Sequence, residues 1–193
     1  MKVPPKQRSK PFTAEERQRI IAAFRGSCHF AYYADFVEFL LAAGCRLGEA
    51  CALRWKHVTD DCGLVWIGEA YSRGELGPTK TNEQRYLRLT TRLQDLMKAR
   101  RSPDARPDDL VFPAARGGYI DDHNFRNRAW KSVLEGLGID YRKPYNMRHT
   151  FVSGALDLGL PPAVVSSLSG HTVETLYRNY AGNVRGLVEL PEL

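Results

Sequence analysis

Proline and glycine divide the last third of this chain into three short helices. Pro144 opens the first and Gly159 ends it; Pro161 and Pro162 open a second, which Gly170 stops. A third is expected from Thr172 to about Tyr180. Val164, Val165 and Leu168 are the expected core positions of the second helix. The groups left at the seams are polar. Tyr145 and Arg148 sit three residues apart, on one face of the first helix, and His171 follows Gly170 directly. Tyr180 lies nine residues past that histidine. Two groups able to grip an anion, followed by a tyrosine, suggest phosphate chemistry.

The remainder of the chain is compatible with such a partner. Its 193 residues fit one globular domain, and a 43% hydrophobic content is ordinary for a chain with its own core. Lys and Arg number 28 against 22 Asp and Glu, a net charge of +6 that suits a polyanion. No stretch approaches the roughly 18 apolar residues of a membrane helix, and the start MKVPPKQRSK has no apolar signal core. A soluble, cytoplasmic protein without a membrane partner is expected. Cys28, Cys45, Cys51 and Cys62 lack paired spacing and read as free thiols rather than zinc ligands.

Taken in order, residues 1–12 are basic and proline-bearing and read as a tail or linker stub. Thr13 and Glu16 form a capping box that opens a helix running to about Phe24. Ala31 to Ala43 reads as a buried helix. Gly44 ends it, and Arg46 opens the next, with Leu47, Ala50 and Leu53 as its apolar stripe. Leu64–Gly68 and Arg85–Leu89 are expected strands, with GELGPTKTNEQ as a polar loop between them. Helices are expected over Arg92–Arg101 and about Asp121–Leu137. The second of these holds His123 and Arg126, a bare H-x-x-R pattern that reads as helix surface. His149, about 100° around its helix from Arg148, is expected to be a buried structural histidine bonded to backbone.

The segment RHTFVSGALDLG, followed by LSGH and a closing tyrosine, resembles the catalytic domain of the tyrosine recombinases, the phage integrase family. The resemblance runs from about Thr13 to about Gly182. Members usually carry a separate DNA-clamping domain ahead of this part. Carried over position by position, the resemblance makes Arg46 the first catalytic arginine and Glu49 its supporting acid. Lys80 falls on the family's hairpin lysine, Arg148 on its second arginine, His171 on the histidine of its LGH motif and Tyr180 on its nucleophile. Tyr145 stands where the family usually has histidine or lysine; a phenol donates a hydrogen bond but adds no charge.

The implied fold is mainly α with a small antiparallel β-sheet of about three strands (α+β). Residues 13–182 would form the catalytic domain and 183–193 a C-terminal tail. The implied chemistry is attack by Tyr180 on a phosphodiester of double-stranded DNA, giving a 3′-phosphotyrosine and a free 5′ hydroxyl, with Lys80 as general acid. Arg46, Arg148 and His171 would hold the phosphoryl oxygens, with Glu49 supporting them, and no metal, ATP or other cofactor is called for. The resemblance also implies a homotetramer on DNA and a monomer when free, with the apolar tail docked on a neighbour or folded back. A type IB topoisomerase-like nicking and closing activity, and an inactive DNA-binding module of the same fold, stay open as alternatives.

Overall fold

The computed structural model describes residues 10–79 and 84–180. Its elements, in chain order, begin with α1 (Ala14–Gly26), a 3-10 turn (Ala31–Tyr33), α2 (Ala34–Ala43), α3 (Leu47–Cys51) and a second 3-10 turn (Trp55–His57). Four strands follow: β1 (Leu64–Ile67), β2 (Glu69–Ser72), β3 (Glu75–Pro78) and β4 (Arg85–Arg88). Then come α4 (Thr91–Arg100), α5 (Asp122–Asn124), a π-helical segment (Phe125–Trp130), α6 (Lys131–Gly136), α7 (Asn146–Asp157), α8 (Pro162–Ser169) and α9 (Val173–Tyr180). The expected class, mainly helical with a small antiparallel β component, is what forms.

The α1 capping box is present in both directions: the Glu16 N–H donates to Thr13 Oγ1 at 3.1 Å, and the Thr13 N–H donates to Glu16 Oε2 at 2.8 Å. α2 is apolar nearly all round and is the central helix, burying Phe36, Val37, Phe39, Leu40 and Leu41. Aromatic rings fill the space between α1, α2 and the segment after α5. The expected single helix over 121–137 is wound as a π-helix at Phe125–Trp130, and the wider turn brings two residues five apart, Phe125 and Trp130, into one buried cluster with Phe24.

Several expectations are corrected. The residues just before Thr13 are docked rather than tail-like: the Phe12 ring meets Trp130 edge-on at 5.8 Å, and the Phe12 N–H donates to Thr150 Oγ1 at 2.9 Å. The polar stretch after β2 is not all loop. β2 and β3 form an antiparallel hairpin, registered Tyr71↔Leu76, while β1 pairs with β4, Val65↔Leu87. The β component is therefore two two-stranded ladders instead of one sheet of three. Arg73 and Gly74, with φ of 55° and 86°, make the two-residue turn whose twist suits a hairpin. Of the expected core positions of α8, Val165 is buried, whereas Val164 is 43% exposed.

A small second core lies apart from the main one, built by Val152, Ala155, Leu156, Val165, Leu176 and Tyr180 from α7, α8 and α9. Gly44 joins the two regions. It closes α2 at φ 63°, and a Cβ there would stand 2.1 Å from the Phe151 ring of α7. Gly44→Ala is expected to cost about 1–2 kcal/mol for left-handed backbone and about 1–3 kcal/mol more for overpacking. Urea unfolding checks this; a variant within about 0.5 kcal/mol of wild type, the spread of ordinary surface changes, would refute it.

Candidate active site

Glu49 lies in the first turn of α3 and is 1% exposed. Its Oε2 accepts from the Arg46 backbone N–H at 2.9 Å and from Arg85 Nη2 at 2.7 Å, and its Oε1 accepts from Arg46 Nη1 at 2.7 Å. Burial alone would raise its pKa. The hydrogen bond and charge of Arg85, joined by those of Arg46, outweigh that and hold the carboxyl below its ordinary value.

The same two guanidiniums reach across to the end of α8. Arg46 Nη2 donates to the Gly170 carbonyl and Arg85 Nε to the Leu168 carbonyl, each at 2.9 Å. Both are last-turn groups, where a helix gathers unpaired carbonyls and negative partial charge. Gly170 turns the chain at φ 67°, and Arg85 Nη1 lies 3.0 Å from where its Cβ would be. His171 is thereby delivered to a fixed place beside α7.

There it meets Arg148, which is 1% exposed and donates to the Gly44 carbonyl at 2.9 Å through Nη1. Arg148 Nη2 lies 3.1 Å from His171 Nδ1, and Nε lies 3.4 Å from Nε2. Ser169 Oγ is 3.1 Å from Nδ1, and the Tyr145 hydroxyl is 3.3 Å from Nε2. A guanidinium only donates, so a neutral imidazole with a lone pair toward Arg148 fits this cage. Burial, then the charges of Arg148 and Arg46, push the His171 pKa down to about 3. A phosphoryl anion seated here would offset those charges and reverse that part of the shift. Arg148 is itself lowered from its usual value, by burial and then by the Arg46 charge, yet an arginine stays protonated in proteins.

Tyr180 is 4% exposed, whereas Tyr177, the other tyrosine of α9, is 50% exposed. The Tyr180 ring lies 6.2 Å from that of His171. Its hydroxyl is hydrogen-bonded to Nδ1 of His149. Burial, followed by the neighbouring Tyr145, raises the Tyr180 pKa, with Arg148 opposing. His149 is half-buried, and its bond to Tyr180 replaces the backbone bond expected for it.

Arg46, Glu49, Tyr145, Arg148, His171 and Tyr180 are thus brought into one connected group. Lys80 lies outside the described residues, one position beyond Thr79, where the β2–β3 hairpin ends. His123 is exposed, 2.8 Å from the side chain of Asn127, and takes no part. Two members were not legible as such. Arg85 read only as the start of a strand, and His149 only as the neighbour of Arg148. The contacts that recruit them span 36 and 31 residues, and no local spacing encodes those. Three guanidiniums against one carboxylate leave the group positive, with the buried Tyr180 phenol beside it: an arrangement that can bind an oxyanion.

Among the described residues no helix is long and apolar enough to cross a membrane. The chain is 31% identical over 137 residues to tyrosine recombinase XerC of Xanthomonas axonopodis pv. citri, an alignment covering 70% of this chain and 42% of the relative. It is 29% identical over 201 residues to an integrase of Streptomyces ambofaciens, covering 90% and 50%. The chain therefore spans about half the length of these relatives, or less. Among solved structures it is similar to the Tn1549 transposon integrase in complex with a circular intermediate DNA, at TM-score 0.78 and 15% identity over 91% of this chain and 62% of that one. It also resembles the catalytic domain of bacteriophage HP1 integrase, at TM-score 0.63 and 20% identity over 91% and 88%. At those identities the structural likeness speaks for the fold. The family model described as the phage integrase family matches residues 10–184, nearly the whole chain, and on that match the chain belongs to the phage integrase family.

Proposed function

We propose that residues 13–182 are the catalytic domain of a site-specific DNA recombinase or integrase acting on double-stranded DNA in the cytoplasm. The observation that carries this is the enclosure of His171 by Arg148 and Tyr145, with the Tyr180 ring 6.2 Å away. Tyr180 Oη attacks the scissile phosphorus, an O–P bond forms, and the bond to the 5′ oxygen breaks, leaving a 3′-phosphotyrosine and a 5′ hydroxyl. Arg46 and Arg148 hold the non-bridging oxygens with the N–H groups not spent on Glu49, Gly44, Gly170 or His171. Planar forks match phosphate geometry, and they take over the charge neutralisation that a cation performs in other phosphoryl transfers. His171 adds a donor once the anion has raised its pKa, and Tyr145 adds a neutral one. Lys80 protonates the departing 5′ oxygen. A 5′ hydroxyl of a partner strand then attacks the phosphotyrosine, so no ATP is needed. The working assembly is a homotetramer on DNA formed from monomers, and residues 183–193, which lie outside the described residues, are the segment we expect to dock between protomers.

The test is covalent capture. The protein is incubated with a pool of nicked duplexes of randomised core sequence, denatured, and assayed for DNA that stays attached. Attached DNA, recurring in sequence, supports recombination. DNA retained only before denaturation would instead indicate a binding module that has lost its chemistry.

Lys80 has its own test. Lys80→Ala is expected to slow adduct formation by about 10²-fold or more on ordinary DNA, the usual range for a general acid, and to be largely rescued when the 5′ bridging oxygen is sulfur, a leaving group that needs no proton. Equal defects on both substrates would remove Lys80 from the acid role.

A further inference from the structure

We infer that His149 is a catalytic residue, the base that takes the proton of Tyr180 as its oxygen attacks phosphorus. This deepens the strand-transfer reading and rests on it. The Tyr180 hydroxyl is hydrogen-bonded to His149 Nδ1, with the two rings 5.5 Å apart. No other nitrogen base is bonded to that hydroxyl among the described residues. His171, the other imidazole nearby, has its nitrogens turned to Arg148, Ser169 and Tyr145.

Position explains how His149 comes to do this. It follows Arg148 on α7, so the same helix that buries the arginine presents the next side chain about 100° around its axis. That direction is toward α9, while the Tyr145 ring meets His149 edge-on at 4.9 Å from the other side. The titratable groups facing His149 are Tyr145 ahead of α7, Arg148 on it, His171 after α8 and Tyr180 on α9.

The protonation states suit the role. Burial, then the Arg148 charge, hold the His149 pKa below the ordinary histidine range, so its imidazole is a free base at neutral pH. Burial raises the phenol, so little Tyr180 is ionised beforehand and its proton must leave during attack. As the Oη–P bond forms and the bond to the 5′ oxygen breaks, the phenolic proton passes to Nδ1; the proton already on the ring stays on Nε2. In the return step the attacking 5′ hydroxyl loses its proton to the group that protonated the leaving oxygen, and Nδ1 gives its proton back to Tyr180.

The experiment compares wild type, His149→Asn and His149→Ala in single-turnover adduct formation on a nicked duplex recovered from the covalent pool, from pH 5 to 8.5. Asparagine keeps an acceptor where Nδ1 stood but cannot take the proton. Both variants are expected to lose about 10²-fold or more in rate, with DNA affinity unchanged by gel shift. Imidazole in the buffer should restore His149→Ala by at least about tenfold, which an unfolded protein would not allow. Wild type should lose rate on its acid side as His149 protonates, below about pH 6.5, and His149→Asn should lack that limb. A His149→Asn rate within about threefold of wild type, with the acid limb intact, overturns this proposal and leaves strand transfer standing. Failure of wild type to form an adduct with any duplex overturns the strand-transfer reading, and this proposal with it.

Discussion

Tyr180→Phe is expected to form no covalent DNA adduct at any pH, while DNA affinity and fold stay close to wild type. Deleting the sole nucleophile of an active site has cost on the order of 10⁶-fold in a well-studied hydrolase, so the adduct should fall below detection. The phenyl ring keeps its packing in the core of Val152, Ala155, Leu156, Val165 and Leu176, so the fold loses only the hydrogen bond to His149, worth about 1 kcal/mol. Tyr177→Phe is the matched control, since that side chain is 50% exposed. Denaturing electrophoresis of labelled DNA reads both. An adduct that survives in Tyr180→Phe and vanishes in Tyr177→Phe would transfer the role to Tyr177.

Glu49→Gln should produce the largest loss of stability of any single change at the site. The carboxylate is buried between Arg46 and Arg85, and removing one member of a buried charge group typically costs about 3–5 kcal/mol because the others are left uncompensated. The loss has a pH signature. The Glu49 carboxyl is held below its ordinary 4.5, so its contribution is fully present above that value and disappears as pH falls through the lowered pKa of the folded state. Wild type and variant should therefore differ most near neutrality and converge in acid. Urea unfolding of both proteins from pH 7 to pH 3 measures it. A difference under about 1 kcal/mol at pH 7, or one that does not shrink in acid, would show that Glu49 is not the keystone of the group. The function should fail alongside, because the end of α8 is fastened by the arginines that Glu49 holds, and His171 is placed by that fastening.

The elements that were legible in the sequence were those written in local chemistry. Thr13 and Glu16 announce the start of α1 because the box closes within four residues. Gly44, Gly159 and Gly170 mark helix ends because each takes a positive φ that other residues resist. The β2–β3 hairpin was missed because its strands alternate no apolar residues: β3 is largely exposed, and its turn, Arg73–Gly74, is an uncommon pair. The π winding at Phe125–Trp130 was missed for a related reason: it answers to aromatic packing against α1 rather than to propensity.

The sequence by itself determined which side chains are available, among them two motif arginines, one acid, one histidine and a tyrosine at family spacing, and it supplied the glycines and prolines that cut their helices to length. Only the tertiary structure decided how they are wired. Arg85 reaches from the start of β4 to share Glu49, and both guanidiniums clamp α8 by its last carbonyls. His149 became the partner of Tyr180, and His171 became neutral inside a cage of cations. Spacing along a helix specifies a face and nothing more, whereas a pKa or a hydrogen bond depends on what the fold packs against that face.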